Sequence, residues 1–544
     1  MAVSFCLCIS RAEAKVKLPA LISDGMVLQR EQPVKVWGWA DAGESVHLEF
    51  DRKYFPAKVD GKKQKVSYST VADAQGAWCI TLPGMKAGGP YILRINDIEV
   101  KDVLVGDVWL CSGQSNMELT AGRVTDLFRD EILSYSNDKI RYLKTPNSYH
   151  FHSPQSDMPT GVWKPLNRKN AMDYSALCYF FAKAMYEKNG VPVGLINSSW
   201  GGTPVEAWIS EEGLKAFPMY LNDKRRYEND VYVSALKKAE EMGQQLWSAA
   251  LYRGDAGLHE KTPWYANTYD DRSWETVDMF STTWAGNGLN PVNGSHWFRK
   301  TLCIPQQWEG KEATLRLGCI VDADSVYVNG IFVGTTSYQY PPRIYTVPAG
   351  ILKAGKNTLT IRLVSYGGYP GFVKEKLYKI ICDNEELRLE GEWKHRLGAE
   401  MPVSPSQTNF HYKAVGLYNG MIAPLLNCTL KGVIWYQGES NVSRRNEYAG
   451  LLTAMISDWR TKFNDPALPF YIVELADFLA PTDPGRKGWT EMQKIQEQTA
   501  EAIPYTRFVH NSDLGEWNDI HPLDKKTLGI RVAESVWNDM ETKK

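Results

Sequence analysis

The sequence has no excess of charge of either sign and no long hydrophobic run. Its 62 Lys and Arg residues are balanced by 63 Asp and Glu residues, for a formal net charge of −1 at pH 7. A nucleic-acid-binding surface requires clustered basic residues, so this balance argues against a nucleic-acid partner. A transmembrane helix needs roughly 20 consecutive apolar residues, and because no stretch approaches that length we expect no membrane span.

Metal-binding motifs and several catalytic motifs are missing as well. The nine cysteines include no CxxC pair and no metal-ligand spacing, so we expect neither a metal site nor a disulfide framework. The sequence contains no GxxxxGKS, GxxxxGKT or HExxH motif, which argues against phosphate-loop and zincin chemistry. These absences predict a protein that works without a metal ion or a cofactor.

The first 14 residues have the pattern of a signal-peptide remnant. A short apolar run precedes Ala12-Glu13-Ala14, which matches the small-x-small pattern of a cleavage site. This segment predicts export, to the periplasm or to the extracellular space.

The length and patterning of the chain predict several domains. At 544 residues the chain exceeds what one compact core usually holds. Short alternating runs predict an N-terminal β-sandwich over residues 15–104, and a second β-rich block at residues 264–392 predicts a jelly-roll-like β-sandwich. Strands alternating with helices over residues 105–263 and 393–544 predict a parallel α/β sheet. The simplest organisation is one α/β domain interrupted by an inserted β-sandwich.

A strand-like run ends abruptly in the polar turn SGQSNME at residues 112–118. A serine on a tight turn between a strand and a helix is exposed, and the start of the helix supplies free backbone N–H groups that stabilise negative charge. Ser115 is therefore a candidate nucleophile, although a serine at such a position also serves as a helix N-cap. No GxSxG surrounds Ser115, which argues against the nucleophile elbow of the α/β-hydrolases.

The candidate base lies near the other end of the chain, where residues 513–525 read DLGEWNDIHPLDK. An imidazole can remove the proton of a serine hydroxyl, and a nearby carboxylate can orient the ring. We predict His521 as the base and Asp519 as its acid partner. The rival acids in this stretch are Asp513, Glu516 and Asp524. If none of them orients the ring, Ser115 and His521 would work as a dyad, with a backbone carbonyl holding the imidazole. Activity should then depend on a group that titrates near neutral pH and must be unprotonated.

Two further strand ends carry small or polar residues. Residues 197–208 read NSSWGGTPVEAW, and Gly201 or Gly202 could present a backbone N–H to an oxyanion or simply form a turn. Residues 435–441 read WYQGESN, which places Gln437 and Glu439 where the sheet opens, the usual side for ligands. Helix N-capping by Ser440 or Asn441 is the alternative interpretation of the second stretch.

Taken together, GDVWLCSGQSNM, NSSWGGTPVEAW, WYQGESN and NDIHPLDK resemble the sialate O-acetylesterases, a carbohydrate-esterase branch of the SGNH hydrolases. The resemblance spans nearly the whole chain. It implies a flavodoxin-like three-layer α/β/α catalytic domain. It also implies metal-free removal of acetyl groups from sugar hydroxyls, typically those of O-acetylated sialic acid.

The resemblance also assigns roles to individual residues. It implies that Ser115 is the nucleophile and His521 the base, and that the oxyanion hole is lined by the backbone N–H groups of Ser115 and of Gly201 or Gly202. The broader superfamily has an Asn where this chain has Gln437-Gly438-Glu439, so Gln437 and Glu439 are the candidates for the third donor. The superfamily often spaces its acid and base as Asp-x-x-His, whereas Asp519 is two residues before His521.

Three other interpretations remain open. A glycosidase would use Glu439 with Glu516 or Asp519, two carboxylates roughly 5–10 Å apart. A non-catalytic glycan-binding protein would use aromatic surfaces, and the chain has 19 Trp and 28 Tyr residues. An acetylxylan esterase would carry out the same reaction on another acetylated sugar.

Overall fold

The computed structural model describes residues 16–50, 66–287 and 290–541, so the predicted signal segment 1–14 lies outside the described residues. The chain forms two compact units. Unit 1 consists of Met1–Asn229 and Asn409–Lys544, and unit 2 consists of Asp230–Thr408. Within the described ranges no helix combines the length and the apolar character needed to cross a membrane.

The N-terminal part of unit 1 is built from short strands. They are β1 (Val27–Gln29), β2 (Val34–Trp39), β3 (Ser45–Phe50), β4 (Val66–Val71), β5 (Ala77–Leu82), β6 (Gly88–Ile95) and the long β7 (Ile98–Gly113). β2 and β5 form an antiparallel pair, while β1, β3, β4 and β6 join β7 in a second sheet. Alternate side chains of both sheets, such as Val36 and Leu93, enter one apolar core.

The α/β region of unit 1 begins where β7 ends. Its elements in chain order are α1 (Ser115–Glu118), α2 (Thr125–Ser134), β8 (Asn137–Lys144), β9 (Lys164–Leu166), α3 (Ala176–Asn189), β10 (Val193–Ser199) and α4 (Pro218–Tyr227). Short 3-10 helices occupy Ala121–Val124, Ala171–Asp173 and Val205–Trp208. The Ser175 hydroxyl caps α3 by accepting the backbone N–H of Cys178 at 3.3 Å.

Unit 2 starts with helices and continues with strands. Its elements are α5 (Asp230–Gly254), α6 (Ala256–His259), β11 (Glu275–Asp278), β12 (Gly286–Asn287), β13 (Asn290–Pro291), β14 (Asn293–Ile304), β15 (Ala313–Leu317), β16 (Ile320–Val321), β17 (Ala323–Val328), β18 (Ile331–Thr336), β19 (Ile344–Val347), β20 (Gly355–Ser365), β21 (Gly371–Phe372), β22 (Tyr378–Cys382), β23 (Glu385–Arg388) and β24 (Glu392–Met401), with 3-10 helices at Thr283–Ala285 and Gln306–Trp308. A six-stranded sheet in the order β11-β24-β14-β20-β17-β18 and a four-stranded sheet in the order β19-β15-β22-β23 enclose an apolar core.

Unit 2 is wider than the predicted block 264–392. Its first helix, α5, packs Trp247 and Leu251 against Val364 and Ala399 of the strands, and β24 continues the six-stranded sheet to Met401. The block 264–392 was defined by its strand pattern, and such a pattern does not include a helix that packs on the strands. The helix therefore belongs with the strands and not with the preceding α/β region.

The chain then returns to unit 1 and completes the α/β region. The remaining elements are β25 (Gly432–Tyr436), α7 (Tyr448–Lys462), β26 (Phe470–Val473), α8 (Arg486–Ala502), β27 (Thr506–Val509) and α9 (Lys525–Glu541), with 3-10 helices at Phe410–Tyr412, Ala423–Leu425, Glu439–Glu447 and Ser512–Leu514 and a π-helix at Tyr418–Ile422. The central sheet has the order β27-β26-β25-β7-β10-β8-β9. Its pairs are parallel except β8 with β9.

The strand order matches a doubly wound sheet. Counted along the chain, β7, β10, β25, β26 and β27 lie in the order 2-1-3-4-5, which is that of flavodoxin-like sheets. β8 and β9 extend the edge next to β10. Successive residues of β7 enter different cores: Trp109 and Cys111 join the core of α3 and α9, whereas Val108 and Leu110 join the core of α7 and α8. The mixed α/β class predicted from the sequence is confirmed.

The predicted boundary at residue 105 falls inside a continuous strand. The first part of β7 pairs with β1 and β6 of the N-terminal sheet, up to Gly106. From Asp107 onward the same strand pairs with β10, and from Trp109 onward also with β25. The N-terminal strands and the α/β region therefore share a strand, and both belong to unit 1.

Candidate active site

Three of the four sequence motifs follow the ends of adjacent parallel strands. Gly113, at the end of β7, lies opposite Ser199 of β10 and opposite Tyr436 of β25. The carboxyl ends of parallel strands form one edge of the sheet, where ligands bind in open α/β folds. The turns after these strands therefore lie close together at that edge.

The turn before Ser115 is cramped because it passes directly against the neighbouring strand end. Gly113 has a φ of +139°, and a Cβ there would lie 2.0 Å from the Tyr436 carbonyl oxygen, so only glycine fits. The Gln114 Oε1 atom accepts the backbone N–H of Gly438 at 3.3 Å, which joins this turn to the one after β25. The result is that Ser115 begins α1 with its side chain partly exposed.

His521 faces this serine. The His521 Nε2 atom lies 2.8 Å from the Ser115 Oγ atom, although 406 residues separate them in the chain. The His521 ring is buried, and burial together with the nearby cations Lys525 and Arg123 lowers its pKa to about 3. The ring is therefore neutral at pH 7 and can accept the hydroxyl proton. This pKa is lower than the near-neutral value expected for His521 from the sequence. The sequence does not reveal the burial of the ring or the two nearby cations that lower it.

Asp519 lies beside the base but contacts its backbone. The Asp519 Oδ1 atom accepts the backbone N–H of His521 at 2.9 Å, whereas its distance to His521 Nδ1 is 4.0 Å, longer than a hydrogen bond. In this geometry the carboxylate holds the loop that carries His521. Its role as the acid partner of the ring stays a prediction.

The two glycines after β10 lie next to the nucleophile. A Cβ on Gly201 would lie 3.4 Å from the Ser115 Cβ atom, but the Gly201 N–H already donates to Glu118 Oε2 at 2.7 Å. Gly202 has a φ of +75°, and a Cβ there would lie 1.9 Å from the Tyr412 hydroxyl oxygen. Gly202 therefore requires glycine, whereas Gly201 lies at ordinary contact distance from the serine, and the two N–H groups differ in availability.

Two backbone donors at this edge are open. In the part of the chain that the structure describes, the backbone N–H groups of Ser115 and Gly202 donate to no protein acceptor. Both belong to the predicted oxyanion donors, whereas Gly201 is engaged by Glu118. Free N–H groups beside a nucleophile are what an oxyanion requires.

Gln437, by contrast, needs a correction. Its side chain is fully buried, and its amide donates to the Thr203 carbonyl at 3.2 Å and to Asn441 Oδ1 at 2.8 Å. The Tyr448 hydroxyl in turn donates to Gln437 Oε1 at 3.1 Å. No amide hydrogen is left for an oxyanion, so Gln437 stabilises the turn and is not the predicted third donor.

Glu439 is corrected for a related reason. Its Oε1 atom accepts a hydrogen bond from Asn116 Nδ2 at 2.7 Å, so the carboxylate acts as an acceptor and not as an oxyanion donor. Burial raises the pKa of the Glu439 carboxyl, and the hydrogen bond from Asn116 opposes that rise.

Sequence reasoning missed two residues of this edge. Asn116 and Lys525 are both buried, and Lys525 Nζ donates to Asn116 Oδ1 at 2.7 Å. Both belong to the quoted motifs, but each looks like an ordinary polar residue at the start of a helix. Across the described residues no group of three or more His, Cys, Asp or Glu side chains is arranged to hold a metal ion.

A buried histidine next to a partly exposed serine, at the carboxyl edge of a parallel sheet, is an arrangement that serine hydrolases use. A family model described as "Carbohydrate esterase, sialic acid-specific acetylesterase" matches residues 105–278 and 404–538, which is more than half of the chain. The chain belongs to this family of carbohydrate esterases and is a carboxylic ester hydrolase. The glycosidase and the non-catalytic interpretations are thereby set aside.

Individual relatives extend the likeness beyond the matched segments. The sialate O-acetylesterase of Rattus norvegicus is 23% identical over 549 residues, which covers 95% of this chain and 72% of the relative. That of Pongo abelii is 33% identical over 217 residues, which covers 37% of this chain and 40% of the relative. The crystal structure of a carbohydrate acetylesterase from Xanthomonas citri shows 25% identity and a TM-score of 0.54, and the match covers 95% of this chain and 74% of that chain.

Proposed function

We propose that the protein removes O-acetyl groups from sugar hydroxyls through an acyl-enzyme formed on Ser115. The observation that carries the proposal is the 2.8 Å contact between His521 Nε2 and Ser115 Oγ. A serine hydroxyl is a weak nucleophile until an adjacent base takes its proton. The neutral His521 ring can perform this step at pH 7.

In the first step the Ser115 Oγ atom attacks the acetyl carbonyl carbon while His521 Nε2 takes the hydroxyl proton. The carbonyl π bond breaks, and its electron pair becomes the oxyanion of the tetrahedral intermediate. The open N–H groups of Ser115 and Gly202 are the donors that would stabilise this oxyanion. Gly201 could join them only after its N–H leaves Glu118.

The intermediate then collapses, and the bond between the acetyl carbon and the sugar oxygen breaks. The sugar oxygen leaves with the proton that His521 Nε2 donates, and an acetyl group remains on Ser115 Oγ. Water then attacks the acetyl carbon while His521 Nε2 takes its proton; the bond between that carbon and Ser115 Oγ breaks, Oγ receives the proton from His521, and acetate is released.

For the substrate we propose O-acetylated sialic acid. The support is the family description and the sialate O-acetylesterases of Rattus norvegicus and Pongo abelii. We also propose export to the periplasm or the extracellular space, on the pattern around Ala12-Glu13-Ala14.

The test is acetate release from three substrates: an O-acetylated sialic acid, an acetylated xylo-oligosaccharide and an aryl acetate. We expect turnover of all acetyl esters that reach Ser115, with the highest kcat/KM for the sialic acid. Rapid acid quenching followed by peptide mass spectrometry should find an acetyl group on Ser115. A higher kcat/KM for the xylo-oligosaccharide would contradict the sialic acid assignment and indicate a plant polysaccharide as the substrate. Acetate release without an acetyl group on Ser115 would contradict the acyl-enzyme.

A further inference from the structure

The buried side-chain amide of Asn116 is hydrogen-bonded to the segment that carries His521 and follows Ser115 in the chain. Asn116 accepts a hydrogen bond from Lys525 Nζ at 2.7 Å, and its Nδ2 atom donates to the Ile520 carbonyl at 2.9 Å and to Glu439 Oε1 at 2.7 Å. Asn116 and Lys525 are each only 1% exposed. All hydrogen bonds of this amide are therefore made inside the protein and without competition from bulk water.

The partners of Asn116 belong to three separate segments of the site. Asn116 follows Ser115 in the chain, and Ile520 precedes His521. Glu439 begins the 3-10 helix after β25, and Lys525 is the first residue of α9. One side chain thus ties the nucleophile turn to the loop that carries the base.

Lys525 determines which way this amide points. An ammonium group can only donate, and the Ile520 carbonyl can only accept. If the amide were flipped, its NH₂ group would face the Lys525 ammonium and its oxygen would face two oxygens. The cation therefore selects the orientation in which Asn116 holds the Ile520 carbonyl.

Lys525 also places a positive charge near the base. Its Nζ atom lies 5.2 Å from the centroid of the Tyr436 ring, and its own charge is opposed by burial, which lowers its pKa to about 8. The carboxylates that face Lys525 are Glu439, Asp519, Glu516 and Asp524. The groups that face His521 are the Ser115 hydroxyl, Asp519, Arg123 and Lys525 itself. Since like charges repel, the two cations disfavour a protonated ring.

We propose that Lys525 is a positioning residue of the esterase, which fixes the His521 loop against the Ser115 turn through Asn116. The proposal rests on the proposed roles of Ser115 and His521. It adds a residue that touches neither the substrate nor the reacting atoms.

The experiment compares wild type with Lys525→Met, Lys525→Gln and Lys525→Arg, and uses Lys526→Met as the matched control. Lys526 is the next residue of α9, and its ammonium group contacts Glu131 at 2.7 Å. The measurement is kcat and KM for an aryl acetate from pH 3 to pH 8, with circular dichroism at each pH to confirm folding.

Removal of the cation should raise the pKa of His521, so the acid limb of kcat/KM should move to higher pH by about one unit or more in Lys525→Met and Lys525→Gln. Loss of the fixed loop should also lower kcat about 10- to 100-fold at pH 7, with little change in KM. Lys525→Arg keeps the charge and should leave the acid limb in place, and Lys526→Met should match wild type throughout.

If Lys525→Met or Lys525→Gln folds and the acid limb of kcat/KM stays at its wild-type pH, the proposal is overturned. That result is expected of a lysine whose role is structural alone. If neither neutral variant folds, Lys525 serves stability alone and the proposal is likewise overturned. Full activity of Ser115→Ala would instead contradict the proposed function, so the two failures are distinguishable.

Discussion

Both units bury a histidine whose pKa is lowered, and the two histidines differ in what their rings contact. In unit 1, His521 Nε2 faces the Ser115 hydroxyl at the open edge of a parallel sheet. In unit 2, His296 Nδ1 lies 3.1 Å from His395 Nε2, and His296 Nε2 lies 2.9 Å from the Val292 carbonyl oxygen. Burial lowers the pKa of His296 to about 4, close to the value of about 3 for His521.

The comparison teaches that a lowered pKa does not by itself mark a catalytic group. His296 and His395 lie on adjacent antiparallel strands, β14 and β24, and His395 Nδ1 continues the chain to Glu275 Oε1 at 2.5 Å. The ring nitrogens of His296 are thus both used by the fold. Only in unit 1 does the ring meet a side chain that can become a nucleophile, and the predictions below test this distinction.

The largest effect is expected for Ser115→Ala. Loss of the nucleophile should lower kcat about 10³- to 10⁶-fold, while the melting temperature stays within a few degrees because the hydroxyl makes its hydrogen bond to His521 alone among the described residues. Acetate release and thermal unfolding measure the two quantities. Ser198→Ala is the control: its buried hydroxyl donates to the Met421 carbonyl at 3.1 Å, so it should cost about 1 kcal/mol of stability and leave kcat unchanged. More than about a tenth of wild-type activity in Ser115→Ala would contradict the assignment.

A smaller loss is expected for Asp519→Asn. The amide oxygen of the variant can still accept the backbone N–H of His521, and the present carboxylate is 4.0 Å from the ring nitrogen. We expect kcat to fall by about 10- to 100-fold, less than for Ser115→Ala. The comparison is made at pH 7 with an aryl acetate. A loss as large as that of Ser115→Ala would show that the carboxylate charge acts directly on the ring in the working enzyme.

Replacing unit 2 by a short Gly/Ser linker should change catalysis only a few-fold. The rings of Tyr227 and Phe410, which flank the excised segment, have centroids 5.8 Å apart, so a short linker can join the two ends. Unit 1 keeps Ser115, His521 and its own cores. We expect kcat/KM for an aryl acetate within about fivefold of wild type, since binding of a small ester needs few contacts. An insoluble or inactive product would show that unit 2 is integral to the catalytic fold.

The smallest effect on activity is expected for His296→Gln, which should change stability instead. The pKa of His296 is about 4 in the folded protein and about 6.5 in an unfolded chain, so the unfolded state binds more protons between these values. The stability linked to this group is fully present above about pH 6.5 and is lost as the pH falls through about 4. Urea unfolding from pH 7 to pH 4 should therefore depend less on pH in the variant. A loss of kcat in folded His296→Gln would contradict the distinction between the two histidines.

The pairing of Ser115 with His521 could be predicted from the sequence, on the chemistry of the two residues and on the resemblance of the four motifs to one family. That the motifs lie at one edge follows from the strand order, which the structure supplies. The direction of each side chain could not be predicted. Gln437 is occupied by Thr203 and Asn441, and Asn116 by residues more than 300 positions away. These contacts, like the burial that lowers the pKa of His521, arise only when distant segments pack together.

Strand β7 has a consequence for how the nucleophile is aligned. Its first residues are fixed by β1 and β6, and the buried Asp107, where the pairing changes, accepts a hydrogen bond from Arg30 Nε at 2.8 Å. A slip of one residue would move the backbone by about 3.3 Å and exchange the two faces of the strand. Trp109 and Leu110 would then enter the wrong cores, and the turn at Ser115 would miss the ring of His521. The N-terminal sheet thus sets the register of β7 and, through this strand, the position of the Ser115 hydroxyl group.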